Sequence, residues 1–93
     1  MSTKFESIDK ELINELHFPA FDVLEDYDAI TQRIADLNRA MALGNLEHSK
    51  IKIYFEDNES KKVVETTVWG VTDNRVILKQ GVGIPIHRIY CSV

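Results

Sequence analysis

The sequence predicts an α+β protein, with helices in its N-terminal half and a small antiparallel sheet in its C-terminal half. Three observations predict this class. Apolar residues recur every three or four positions within residues 28–43, whereas they alternate every second position after residue 50. Turn-forming residues divide residues 49–93 into four or five short segments. We therefore expect a strongly bent sheet or a small barrel, with the helices packed on it.

Length and composition indicate one small domain. The chain has 93 residues, of which 44% are hydrophobic and 28% are charged, a balance typical of a globular protein. We expect a single domain over residues 1–93, helical in 1–45 and forming the sheet or barrel in 46–93.

The chain has no apolar run of the roughly 18 residues that a membrane span needs. It also lacks an apolar secretion signal and has one cysteine, Cys91, so we expect a cytoplasmic location without membrane contact.

The main helix is predicted over residues 28–43. Its apolar positions follow a 3-4-3-4 spacing, which places them on one stripe of a helix. The stripe consists of Tyr27, Ile30, Ile34, Leu37 and Met41. Asp26 or Asp28 can cap the N-terminus, and Gly44 with Asn45 predicts the C-terminus. We expect the stripe to pack on the sheet of its own chain, and a homodimer formed through it stays open.

The first 24 residues predict a short amphipathic helix and then irregular chain. Ile8, Leu12 and Leu16 have helical spacing, and Pro19 marks the end of that helix. Residues 18–24 are apolar without a clear period, so we expect an irregular segment that packs on the rest of the protein.

A β-hairpin is predicted from residues 51–56 and 61–69. A four-residue turn between them sets Lys52 opposite Glu65, which pairs opposite charges across the strands. The alternating apolar residues of both strands then share the other face. Charge and hydrophobicity therefore favour the same register.

The remaining strands are predicted in residues 75–93. A third strand is expected from Arg75 to Lys79, and residues 84–93 then form one bent strand or two short ones. Pro85 lacks the N–H group that a central strand donates, so it is expected at an edge or a bend.

The hairpin register places an apolar cluster on the outer face of the sheet. The cluster consists of Tyr54, Val63 and Trp69. Since a small domain seldom leaves such a cluster bare, either the main helix or a partner should cover it, and we favour the helix. These three residues are the candidate partner-binding site.

Charge is divided unevenly along the chain. Residues 1–48 have four basic and ten acidic residues, a net charge of −6, while residues 49–93 have seven basic and five acidic residues, a net of +2. The overall charge of −4 argues against nonspecific binding of nucleic acid. A basic face in the second half remains an alternative, with Tyr54 to stack on a base. Its candidate residues are Lys50, Lys52, Arg75, Lys79 and Arg88.

No motif for catalysis or cofactor binding occurs in the sequence. A nucleophile elbow, a phosphate-binding loop, a dinucleotide-binding loop and a zinc-protease helix motif are all missing. His87 and Cys91 can share a strand face, but two ligands do not make a zinc site. We expect neither an enzyme, nor a metal site, nor a cofactor.

Several segments resemble a family of short uncharacterised proteins from Bacteroidetes bacteria. The similar segments are Arg33–Asn45, Ile51–Asn58, Val64–Thr72 and Ile84–Ile89. The resemblance covers about residues 26–90 and implies no established activity.

A more distant resemblance is to small barrels of the Rho-inhibitor (Rof) and Sm-like type. It rests on an N-terminal helix followed by strands and by the closing segment Ile84–Ile89. It implies an SH3/Sm-like barrel. Among proteins of this type, Rof-like proteins bind the termination factor Rho, and Sm-like proteins bind RNA as rings. The chain has no clear Sm signature. We therefore expect a cytoplasmic interaction module that regulates by protein contact, with a small nucleic-acid-binding barrel as the alternative.

Overall fold

The computed structural model describes residues 4–47 and 49–92, except the side chains of Asn45 and Glu47. Residues 1–3, His48 and Val93, which the predicted domain range includes, lie outside the described residues. The elements in chain order are β1 (Glu6–Ser7), a 3₁₀ helix (Lys10–Glu15), α1 (Tyr27–Glu47), β2 (Ile51–Glu56), β3 (Lys61–Thr66), β4 (Val68–Val71), β5 (Arg75–Leu78), a 3₁₀ turn (Lys79–Gly81), β6 (Gly83–Pro85), a 3₁₀ turn (Ile86–Arg88) and β7 (Ile89–Ser92).

The strands form two sheets that do not close into a barrel. One sheet has the order β1-β3-β2-β7, and the other has the order β4-β5-β6. The chain passes between the sheets at Thr67, which separates β3 from β4, and at the Ile86–Arg88 turn, which separates β6 from β7. Both strand orders are linear, with no pairing between the first and last strand, so each sheet keeps two edges. The α+β class is confirmed, and the alternative of a closed barrel is wrong.

The predicted hairpin register is confirmed residue by residue. Lys52 lies opposite Glu65, and Glu56 lies opposite Lys61. The turn between the strands is built around Asp57, whose carboxylate accepts the backbone N–H groups of residues 59 and 60. The buried Asp57 carboxylate thus accepts backbone hydrogen bonds in the turn, where the two strands no longer pair with each other.

The later strands follow the prediction in position but not in number. The described part of residues 49–93 forms six strands, β2 to β7, and the predicted four or five is wrong because the segment 61–69 is divided at Thr67 into β3 and β4. The third strand ends one residue earlier than expected, at Leu78, and the last segment forms the two short strands β6 and β7. Pro85 lies opposite Arg75 in β6, the edge strand of its sheet, where its missing N–H group costs no ladder hydrogen bond.

Helix α1 is longer than predicted because Gly44 does not end it. The helix continues to Glu47, and its N-terminus is capped by Asp26, whose carboxylate accepts the N–H group of Ala29 at 2.9 Å. A Cβ atom on Gly44 would lie 2.5 Å from the carbonyl oxygen of Val68. The glycine therefore permits a close approach between α1 and β4, and the predicted helix end at Gly44 and Asn45 is wrong.

The buried face of α1 is rotated relative to the predicted stripe. Leu37 is fully buried, but Tyr27 is 79% exposed and Ile34 is also exposed. The buried positions are Arg33, Leu37, Ala40 and Gly44. Arg33 belongs to this face because its guanidinium donates to both carboxylate oxygens of Asp22, each at 2.9 Å. The prediction of a wholly apolar packing stripe is therefore wrong at Tyr27 and Ile34.

The N-terminal part of the chain contains one element that the periodicity did not predict. The expected amphipathic helix is a 3₁₀ helix that buries Ile13, and the expected irregular segment follows it. The two-residue strand β1 comes before this helix and pairs with β3 in parallel. Ile13, α1 and both sheets contribute to one hydrophobic cluster. Among the described residues, no helix is both long and apolar enough to cross a bilayer.

Candidate functional site

The outer face of the four-stranded sheet forms an open groove next to its edge. Strand alternation brings Lys52 and Tyr54 of β2 to this face together with Val63 and Glu65 of β3. These four side chains and Ser7 line a groove of about 320 Å³. Two residues of the predicted cluster, Tyr54 and Val63, therefore meet as expected, and Lys52 joins them.

Residues 5–8, which we call the arm, lie across this edge and part of this face. The register of β1 sets Ser7 opposite Val63, and the N–H group of Ile8 donates to the carbonyl oxygen of Val63 at 3.0 Å. The Phe5 ring contacts the Tyr54 ring edge to face, with 5.0 Å between the centroids. The groove face is thus partly covered by the arm. The favoured prediction of cover by the main helix is wrong, because α1 packs on β4 and β7.

Tyr90 of β7 completes the aromatic site of the arm. Its ring centroid lies 5.7 Å from that of Phe5, again edge to face. Burial, together with a hydrogen bond donated by the Tyr90 hydroxyl to the carboxylate of Glu56, raises the pKa of Tyr90 to about 12. The ammonium group of Lys61 lies 5.6 Å from the Tyr90 ring centroid. The ring of Phe5 therefore lies between two tyrosines, one of which is held in place by polar neighbours.

A second groove borders the arm on its other side. It has a volume of about 340 Å³ and is lined by Glu6, Ser7, Ile8, Asp9, Leu12 and Lys62. Ser7 lines both grooves. The arm is consequently a narrow segment with open space on its two flanks.

Trp69 is separated from the other two members of the predicted cluster. It belongs to β4 in the three-stranded sheet, is 53% exposed and does not line the groove of Tyr54 and Val63. The chain turns at Thr67 between β3 and β4, so the alternation assumed for one continuous strand does not hold across that corner.

The candidate basic residues are distributed over both sheets. Lys50 precedes β2 and Lys52 lies in it, whereas Arg75 and Lys79 belong to or follow β5 in the other sheet. All four are exposed. The five predicted residues therefore do not share one sheet.

Arg88 is the exception among these basic residues because it is buried. Only 2% of it is exposed, and its guanidinium donates to the carbonyl oxygens of Phe21, Glu56 and Asp57 at 3.0, 3.0 and 3.2 Å. Its nitrogen atoms are thus engaged in holding the irregular segment before α1 against the end of β2. Assigning Arg88 to a nucleic-acid surface was wrong.

Lys62 is buried as well. Its ammonium group donates to Asp57 at 3.2 Å and to the Ser60 hydroxyl at 2.6 Å. Burial alone would raise the pKa of Asp57, but the backbone N–H groups of the turn and the Lys62 ammonium together lower it. Asp57 and Lys62 thus form a buried ion pair.

The described residues contain no group of three or more His, Cys, Asp or Glu side chains placed to hold a metal ion.

Cys91 is an exposed free cysteine. The atoms packed around its thiol and the negative charge of Asp36 both raise the pKa of that thiol. A raised pKa leaves little thiolate at neutral pH, which makes a weak nucleophile.

Sequence reasoning missed the arm and Tyr90 as parts of this site. Residues 5–8 give no strand signal, because they read apolar, polar, polar, apolar and do not alternate. Tyr90 lies where the pairing of β2 with β7 shifts register, because Tyr54 lies opposite Cys91 and Phe55 opposite Ile89. Strand alternation alone therefore does not fix the face of Tyr90.

Comparison of this chain with protein-family models, with curated proteins and with solved structures finds no match. The resemblances to the Bacteroidetes family and to the Rof and Sm-like barrels therefore stay predictions. The fold and the face define the chain as an α+β protein with two open sheets, one of which carries an extended segment on its edge.

Proposed function

We propose that this protein is a cytoplasmic interaction module that binds another protein through the outer face of its four-stranded sheet, and that it regulates through this contact. One observation carries the proposal: the face already binds an extended piece of polypeptide, the arm, by strand pairing and by aromatic contacts. A surface that holds a peptide segment of its own chain has the shape and chemistry to hold one from a partner.

The charges at the groove favour a protein over a nucleic acid. Lys52 and Glu65 lie opposite each other and are the charged side chains among the residues that line it. Their charges cancel, so the groove offers no excess positive charge to phosphates. Tyr54 and Val63 supply apolar contact area, which is the usual centre of a protein interface.

Site-specific cross-linking tests this proposal. A photoreactive residue at Lys52, within the groove, should trap a discrete protein in a lysate of the native cells, and Tyr54→Ala should abolish that product. The matched control carries the same photoreactive residue at Lys79, an exposed lysine that follows the other sheet. Identical products from both positions, or none from Lys52, would contradict a binding surface at the groove.

The alternative is a nucleic-acid-binding module that uses Lys50 and Lys52 beside Tyr54. It is favoured by the exposure of both lysines and by an aromatic ring next to Lys52 on which a base can stack. Titration of labelled single-stranded RNA at low and at moderate salt decides it, because phosphate contacts lose affinity steeply as salt rises. Binding that falls with salt and is weakened by Lys52→Ala would support this alternative, and a flat titration would eliminate it.

A further inference from the structure

We propose that the partner binds as an extended peptide that displaces the arm, pairs in parallel with the edge of β3 and inserts an aromatic side chain between Tyr54 and Tyr90. This inference rests on the proposed function and adds the class of ligand and the mode of binding. The arm then acts as a ligand in cis, and it closes the site when no partner is present.

The aromatic requirement follows from the position of the Phe5 ring. That ring meets both tyrosine rings edge to face, with centroid distances of 5.0 Å to Tyr54 and 5.7 Å to Tyr90. Edge-to-face geometry brings the positive ring edge to a negative ring face and adds to the hydrophobic gain. A ligand whose side chain at this position is not aromatic loses both contacts.

The parallel orientation follows from the register of the arm. Glu6 lies opposite Lys62 and Ser7 opposite Val63. The carbonyl group of Val63 points to the arm, since it accepts the N–H group of Ile8. In a strand, the backbone groups of every second residue point to the same edge. The N–H and carbonyl groups of Glu65 therefore also face this edge.

The edge of β3 is longer than the arm that pairs with it. The arm leaves the sheet after Ile8 and enters the 3₁₀ helix at Lys10, while β3 continues to Thr66. Glu65 lines the open groove at this point. A peptide that runs on along β3 can form backbone hydrogen bonds where the arm has turned away, which gives a longer ligand an advantage over the arm.

The arm is held weakly enough to be displaced. Its strand comprises two residues, it has open grooves on both sides, and Glu6 and Ser7 are exposed. An arm attached to its own site still competes at a high effective concentration. Only molecules whose arm has left the site can bind a free peptide. The apparent affinity for that peptide is therefore the intrinsic affinity multiplied by the fraction of molecules with an open site.

The test uses the full chain with Phe5→Ala, which weakens the arm without changing the site that receives it. The probe is a capped synthetic peptide with the sequence of residues 4–9, and its control is the same peptide with alanine in place of phenylalanine. Amide NMR titration should show binding about tenfold tighter to Phe5→Ala than to the unmodified chain. The shifts should be centred on residues 62–65 and on Tyr54 and Tyr90.

Two variants serve as controls for the titration. Phe21→Ala removes an exposed phenyl ring that lies over Arg88 and is not among the residues lining either groove, so this variant should bind the peptide like the unmodified chain. Adding Tyr54→Ala to Phe5→Ala should abolish binding while the amide spectrum stays dispersed, which separates loss of the site from loss of the fold.

Three results would overturn the proposal. The first is that Phe5→Ala shows no saturable chemical-shift change at millimolar peptide. The second is that the alanine peptide binds with the same affinity as the phenylalanine peptide. The third is that the unmodified chain forms a concentration-dependent dimer that Phe5→Ala abolishes. The dimer would mean that the arm of a second copy occupies the site. If the peptide fails but the Lys52 cross-linker still traps a protein in a Tyr54-dependent manner, strand addition is wrong and the interaction module stands. If both experiments fail, both proposals fall.

Discussion

Gly44 of α1 lies so close to Val68 of β4 that a Cβ atom at residue 44 would come within 2.5 Å of the Val68 carbonyl oxygen. The nearest other atom, the Thr67 methyl carbon, would lie at 3.1 Å. Real Cβ atoms do not approach a backbone oxygen this closely, so any larger residue must push α1 away from β4. The helix is thereby anchored against the corner at which the chain changes sheet.

We predict that Gly44→Ala destabilises the protein. In an ordinary helix interior this substitution gains about 1 kcal/mol, but here the forced shift of α1 should outweigh the gain and leave a net loss of about 1–2 kcal/mol. Urea unfolding followed by circular dichroism measures the difference. Gly70→Ala is the matched control, because a Cβ atom there would meet nothing within 4 Å. A gain in stability for Gly44→Ala would show that α1 does not approach β4 this closely.

We predict that Arg88→Met lowers the free energy of unfolding by about 3 kcal/mol or more. Methionine fills much of the volume but leaves the carbonyl oxygens that Arg88 now satisfies without a donor, and each orphaned buried acceptor costs about 1–3 kcal/mol. Arg39→Met, which replaces an exposed arginine, should stay within about 0.5 kcal/mol of the unmodified chain. The comparison is made by urea unfolding. Equal effects of the two substitutions would mean that Arg88 is not part of the core.

We predict that the ion pair of Asp22 and Arg33 makes the protein sensitive to acid. Hydrogen bonds from the Arg33 guanidinium hold the pKa of Asp22 below its usual value. The folded state therefore favours the carboxylate. This contribution to stability is present above pH about 4 and is lost as the pH falls through the lowered pKa.

The change in unfolding free energy between pH 7 and pH 3 checks this prediction. Asp22→Asn should reduce that change, while the part that comes from the lowered pKa of Asp57 should remain. Asp28→Asn alters an exposed carboxylate in the first turn of α1 and serves as the control. An unaltered pH dependence in Asp22→Asn would contradict the assignment.

At the other end of the pH range, we predict a loss of stability that depends on Tyr90. Its pKa of about 12 lies above the ordinary value of 10.0, so the folded state favours the protonated hydroxyl. This stabilisation is complete below pH 10 and disappears as the pH rises towards 12. Absorbance at the phenolate band should show one late tyrosine step, which Tyr90→Phe removes. A late step that persists in Tyr90→Phe would refute the assignment.

Local patterns predicted the elements and one register well. The pairing of Lys52 with Glu65 could be predicted from their opposite charges, because the strands that contain them are joined by a single short turn. The position of Pro85 at an edge followed from its missing N–H group. The length of α1 was underestimated because a glycine can either end a helix or permit close packing. At residue 44 it permits close packing against β4, which lies more than 20 residues further along the chain.

The sequence by itself determined that a main helix precedes a set of short strands and how β2 pairs with β3, because periodicity, turns and neighbouring charges act over a few residues. Only the tertiary structure decided which residues share a site. Phe5 meets Tyr54 and Tyr90, and Arg88 meets Phe21, across separations of about 50 to 85 residues. Such contacts leave no local pattern, because they arise only when burying the core brings distant segments together.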